Sequence, residues 1–110
     1  MGAFMKGDVV VLPFPFSDLT QTKRRPALVL AELDFGDLIL CQITSQSSRD
    51  LHAIALASSD FESGSLQVTS FVRPTRVFAA DSRIVLYKVG KLKQAKCAEI
   101  VGKLIAVLQA

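Results

Sequence analysis

KGDVVVLPFPFSDLTQTKRRPALVLAEL, residues 6–33, sets two apolar runs around a polar middle. The first run, DVVVLPFP (8–15), is apolar at successive positions and rich in β-branched residues, so it reads as a strand covered on both faces. Pro13 and Pro15 have no N–H to give a ladder, and pairing is expected to fail there, with the chain leaving the sheet. FSDLTQTKRR (16–25) then reads as a loop, longer than most hairpin connections, and long loops in small domains tend to carry function. PALVLAEL (26–33) is the second strand. The fixed φ of Pro26 pins the chain just after Arg25, at the strand entrance rather than on the loop.

Downstream, Asp34-Phe35-Gly36-Asp37 is a turn in which Gly36 is free to take positive φ. LILCQIT (38–44) is a third strand, SQSSRD (45–50) a polar loop and AIALA (53–57) a short fourth strand. SSDFESGS (58–65) is a polar break, LQVTSFVRP (66–74) a fifth strand and IVLYKV (84–89) a sixth. After Gly90 the period changes. Cys97, Ile100, Val101, Leu104 and Leu108 fall on one stripe of an amphipathic helix whose start lacks a good capping residue. Five or six short strands in meander order and a terminal helix predict a mainly β fold in one domain, residues 1–110: a small twisted barrel plugged by that helix.

Composition narrows the function classes. Half of the 110 residues are apolar and 21% are charged, which excludes a disordered chain. No apolar run approaches the ~18 residues of a membrane span. MGAFMKGD lacks the charged and apolar regions of a secretory signal, so the cytoplasm is the expected location. Cys41 and Cys97 have no second Cys or His at ligand spacing and read as buried free thiols. A lone histidine, His52, leaves little room for zinc and excludes any mechanism that needs two imidazoles. The aspartates form no close pair, and there is no phosphate-cradling glycine loop or nucleophile elbow, so no metal or cofactor is expected.

The formal charge of +3 says less than its placement. Lys23, Arg24 and Arg25 read either as a solvated loop that resists edge pairing or as a phosphate site, in which Arg25 presents its planar fork and the outer two supply attraction. In a hairpin turning at residues 35 and 36, residue 26 faces 44 or 45, which puts Thr44 beside Arg25 at the open end. Thr44 alone is as readily explained by β-propensity. Arg73, Arg76 and Arg83, around Pro74, form a second cationic group whose bland reading is a solvated turn. Most aromatics fall in strand patterns and read as core; Phe14 and Phe16, beside the loop, stay open.

KGDVVVLPFPFSDLTQTKRRPALVL followed by CQITSQ resembles the opening of the MazF/PemK family, mRNA interferase toxins of toxin–antitoxin pairs. Lys6-Gly7-Asp8, Arg25-Pro26, Ile43-Thr44, the Arg73 region and the closing helix carry the resemblance over nearly the whole chain. It implies an SH3-like β-barrel of the MazF/PemK/CcdB type, a homodimer, an antitoxin partner and metal-independent cleavage of single-stranded RNA that leaves a 5′-hydroxyl. The family's arginine before proline matches Arg25 and its catalytic threonine matches Thr44; the implied RNA contacts are Lys23, Arg24, Ser45, Gln46, Ser70 and Arg73. Acidic groups that some members carry are replaced here by Thr20-Gln21 and by Val68-Thr69-Ser70, which leaves Asp18 and Ser70 as candidates for accepting the 2′-hydroxyl proton. Two alternatives stand beside this reading: a non-catalytic RNA-binding barrel, and a CcdB-like gyrase-directed toxin. The ending Val107-Leu108-Gln109-Ala110, without the C-terminal aromatic of CcdB-like toxins, argues against the latter.

Overall fold

The computed structural model describes residues 4–15, 22–46 and 50–110. Seven strands, β1 (Asp8–Pro15), β2 (Thr22–Glu32), β3 (Asp37–Thr44), β4 (Ile54–Leu56), β5 (Phe61–Gly64), β6 (Ser70–Asp81) and β7 (Tyr87–Leu92), precede one helix, α1 (Gln94–Leu108). The strands form one antiparallel sheet in the order β4-β6-β3-β2-β1-β7-β5, curled into a half-barrel. Both faces of its central strands are covered, which is why β1 is apolar without alternation. On one face Val9, Leu28, Cys41, Ile43 and Val72 pack with Phe61, Leu92 and the α1 residues Cys97 and Ile100. On the other, Val10, Leu12, Ala27, Val29, Leu38 and Leu40 pack against Phe4, Phe14, Phe78 and Val85.

Pairing does not fail at the β1 prolines: Pro13 lies opposite Arg24 and Pro15 opposite Thr22. The Val11 carbonyl accepts from the Leu86 N–H at 2.8 Å, on the β7 side. Pro13 and Pro15 share the alternation of Val11, so their missing N–H groups point to that side, where the β1–β7 ladder has already ended at Val11–Tyr87. The ladder toward β2 loses nothing. Consequently β2 starts at Thr22 rather than Pro26, and Lys23, Arg24 and Arg25 are strand residues opposite Phe14, Pro13 and Leu12.

A bulge between Val29 and Ala31 shifts the β2–β3 register, so that Ala27 faces Gln42. Continued by two residues, this register sets Pro26 level with Ile43 and Arg25 level with Thr44, one residue from the predicted pairing of position 26 with 44 or 45. The ladder itself stops at Ala27–Gln42 because Pro26 has no N–H to offer β3. Near the turn, Phe35 as well as Gly36 takes positive φ, 63° and 83°.

The strand predicted over 66–74 begins at Ser70 and runs on to Asp81. Pro74 marks a bulge inside it, not a turn: Gln42 faces Arg73 while the next β3 residue, Cys41, faces Val77. The expected polar break over 58–65 contains β5, an edge strand with one buried apolar residue, Phe61, and no alternation to reveal it. The predicted sixth strand over 84–89 is displaced to β7, after a short helical turn at Ser82–Ile84. Helix α1 starts after Lys93, which makes no side-chain capping bond. Its stripe is buried at Cys97 and Ile100, half-buried at Val101 and Leu104, and 74% exposed at Leu108. Among the described residues no helix is long and apolar enough to cross a membrane.

Candidate functional site

Two cross-strand rows meet at the open end of the β2–β3 hairpin. In the first, Leu12 faces Arg25, Arg25 is level with Thr44, and Thr44 faces Phe71 of β6, which in turn faces Ala55 of β4. In the second, Ala27 faces Gln42 and Gln42 faces Arg73. Directly opposed residues share a sheet face, and so do residues two apart on a strand. Arg25, Thr44, Gln42 and Arg73 therefore share one face, that of Leu12, Ala27 and Leu40. A guanidinium and a hydroxyl at neighbouring positions can both donate to one anionic group.

The strand backbone sets how far each side chain is fixed. Arg25 is half-buried between Leu12 and the end of β3, whereas Lys23 and Arg24, nearer the strand start, are exposed. Thr44 is half-buried, and its Oγ1 accepts from the Gln46 N–H at 3.2 Å. That bond orients the oxygen and leaves the hydroxyl proton available to donate.

A groove of about 510 Å3 opens at this end, with Lys23, Arg24, Arg25, Ser45 and Ser70 in its lining together with Tyr87. Thr44, Gln46 and Arg73 are not part of that lining. Gln46 is exposed, and Ser70, 3% exposed, donates its hydroxyl to the Val68 carbonyl at 2.9 Å. Asp18 and Phe16 lie outside the described residues, as do Thr20 and Gln21.

Arg73 has a partner that composition and spacing did not reveal. Its Nε lies 3.0 Å from Asp50 Oδ2, with the guanidinium side chain 21% and the carboxylate side chain 8% exposed. Asp50 Oδ1 also accepts the His52 N–H at 2.9 Å. The His52 N–H first, and the Arg73 guanidinium after it, hold the Asp50 carboxyl below the ordinary carboxylate range. A 23-residue separation hides this pairing from any local pattern.

Charge is polarised along the sheet. The open end carries Lys23, Arg24 and Arg25, whereas the β2–β3 turn carries Glu32, Asp34, Asp37 and Asp81, with Arg83 as the cation of the groove there. A net charge near zero thus conceals a cationic end suited to a polyanion. The two thiols lie away from the site. Burial first, with Cys97 nearby, pushes the Cys41 thiol up to about 12, and burial also raises Cys97 against the opposing pull of Lys6 and Lys91. Among the described residues no group of three or more His, Cys, Asp or Glu side chains is gathered to hold a metal ion.

The family model of the PemK-like, MazF-like toxins of type II toxin–antitoxin systems matches residues 5–108. The chain belongs to this family. Within the PemK/MazF toxins, it is similar to the crystal structure of MazF (Form-I) from Deinococcus radiodurans, with 26% identity, a TM-score of 0.75 and 97% of each chain covered. MazE–MazF (Form-III) from the same organism matches at 25% identity and TM-score 0.76, covering 96% of both chains. An endoribonuclease in complex with its cognate antitoxin from a mycobacterial species shares the fold at 15% identity and TM-score 0.76, with 97% of this chain and 96% of that one covered. No curated protein matches the sequence. The half-barrel with its terminal helix is thus the MazF fold, as the resemblance of the opening residues implied.

Proposed function

We propose that this PemK/MazF-family toxin is a sequence-selective endoribonuclease that cuts single-stranded RNA without a metal and so arrests growth. One observation carries the reading: the β2–β3 register sets Arg25 level with Thr44 on one face, at the cationic end. The ribose 2′-hydroxyl attacks the adjacent phosphorus, the new 2′-O–P bond forms and the P–O5′ bond breaks, leaving a 2′,3′-cyclic phosphate and a 5′-hydroxyl. Charge growing on the non-bridging oxygens is met by the Arg25 guanidinium and the Thr44 hydroxyl, donors each worth about 3 kcal/mol in comparable sites. Arg25 stays protonated and does not take the 2′-hydroxyl proton, which passes to water or to another base. Ser70 is ill suited to that task, since its proton already bonds the Val68 carbonyl.

The cationic groove also suits an acidic antitoxin segment that folds on binding and blocks RNA. Antitoxin complexes among the similar structures support that partner. A second apolar groove of about 480 Å3, with Leu12, Phe14, Val77, Phe78 and Ile84, supports pairing of two copies across the face opposite α1. Such a dimer would work in the cytoplasm, where its RNA is made.

The test is incubation of purified protein with a long single-stranded RNA in EDTA, followed by mapping of the ends. Discrete cuts with 5′-hydroxyl ends, lost in Arg25→Ala and Thr44→Ala, are expected. Binding without cuts would instead make the chain a non-catalytic RNA-binding barrel, and intact RNA with arrested gyrase would make it a gyrase-directed toxin.

A further inference from the structure

Asp50 stands outside the Arg25–Thr44 pair, yet it is one of the most constrained polar groups near it. Both carboxylate oxygens are engaged, Oδ2 by Arg73 Nε and Oδ1 by the His52 N–H, and the Asp50 carbonyl accepts the Ala53 N–H at 3.2 Å. The short turn leading into β4 therefore fixes the carboxylate before any ligand arrives. Its contact with Arg73 is side-on, through Nε alone. Among the described residues the two Nη groups of Arg73 have no hydrogen-bond partner. These are the atoms of the guanidinium fork that match the oxygens of a phosphate.

Arg73 faces Gln42, and Thr44 is the next residue on the same face of β3, so Arg73 and Thr44 are diagonal neighbours. Such neighbours lie about 7–8 Å apart, close enough for two donors to meet successive phosphates of one strand. We propose that Asp50 is a positioning residue. It holds Arg73 by Nε so that the free edge of the guanidinium takes the phosphate next to the one at Arg25 and Thr44. This inference rests on the RNA-cleaving reading above and extends it: the site grips two consecutive phosphates, and the second grip is set by a carboxylate that never touches RNA. A carboxylate near a polyanion would by itself weaken binding; tied to Nε, it instead spares Arg73 the loss of freedom on binding.

The experiment measures affinity for a mixed-sequence single-stranded oligonucleotide, 2′-O-methylated throughout so that it cannot be cut, across a range of salt. Arg73→Ala is expected to weaken binding about tenfold at low salt and to lower the slope of log K against log salt by about 0.7, one phosphate on a single strand. Asp50→Ala is expected to cause part of that loss in the wild-type background and none in the Arg73→Ala background, with Asp50→Glu restoring it. Asp50→Asn keeps the bond from the His52 N–H and replaces Asp50→Ala if that variant does not fold. Tighter binding in the Asp50 variants, an equal loss with and without Arg73, or a wild-type salt slope in Arg73→Ala would each overturn the proposal. If the wild-type protein fails to bind the strand at all, the RNA reading falls and this proposal with it; if it binds and only the Arg73 and Asp50 results fail, the RNA reading stands alone.

Discussion

Thr44→Val separates catalysis from folding at the candidate site. Valine keeps the β-branched shape at the end of β3, so packing against Phe71 and the strand preference are preserved. What disappears is one hydroxyl. Structurally, that hydroxyl accepts the exposed Gln46 N–H at 3.2 Å, which water can satisfy instead. The stability cost is therefore at most about 0.5–1 kcal/mol. Catalytically, the same group is one of two donors to the charge that develops on the phosphate. Losing it is expected to slow cleavage about 100- to 1000-fold, equivalent to about 2.7–4 kcal/mol. The two costs differ by about 2–3 kcal/mol, well beyond the error of either measurement. Single-turnover cleavage at saturating protein gives the first, and urea unfolding of the same preparation the second. Thr44→Ser, which keeps the oxygen and its proton, should retain most of the rate. Cleavage by Thr44→Val within about threefold of wild type, or a loss that only tracks the unfolded fraction, would refute the role assigned to this residue.

Other predictions bear on the framework that holds the site. Gly64→Ala should destabilise by clearly more than the ~1–2 kcal/mol of a left-handed alanine, because at φ 70° its new methyl would overlap the Val89 carbonyl oxygen where β5 meets β7. Gly102→Ala, in the interior of α1 with nothing near its Cβ, should stabilise by about 0.5–1 kcal/mol; urea midpoints of both variants check the pair. Alkylation at pH near 8, read by mass spectrometry, should leave Cys41 unmodified until the chain unfolds, since burial and Cys97 push its thiol up to about 12. The lowered Asp50 carboxyl stabilises the fold above the unfolded carboxyl value of about 4, and that contribution is lost as pH falls through the folded value. Asp50→Asn should therefore flatten the acid limb of a stability–pH profile without altering the neutral one in slope.

Much of the sheet was legible because its strands bury both faces. DVVVLPFP, PALVLAEL and LILCQIT are apolar throughout, and each became a strand within a few residues of its expected bounds. The misreadings have a common cause: each depended on a neighbour strand. Pro13 and Pro15 look like breakers until it is known that β7 has already left their side of β1. Lys23 to Arg25 look like loop until β1 is there to pair with them. FESG has too few apolar residues to be seen, and becomes a strand only because β7 offers it an edge. At the site the pattern is the same. Arg25 and Thr44 were singled out from a proline and a hairpin count, whereas Asp50 had no local signal.

Local chemistry, written in the order of residues, determined which segments must be buried, where the helix replaces the strands, and that a cation pinned by proline stands near a threonine. Those outcomes follow from side-chain polarity and backbone restriction, which act within a few residues. The tertiary structure alone decided the one-residue slip at Val29–Ala31 that levels Arg25 with Thr44, the strand partners that rescue two prolines, and the ion pair from Asp50 to Arg73. These depend on contacts between residues far apart in the chain, whose free energies exist only once the sheet has closed around them.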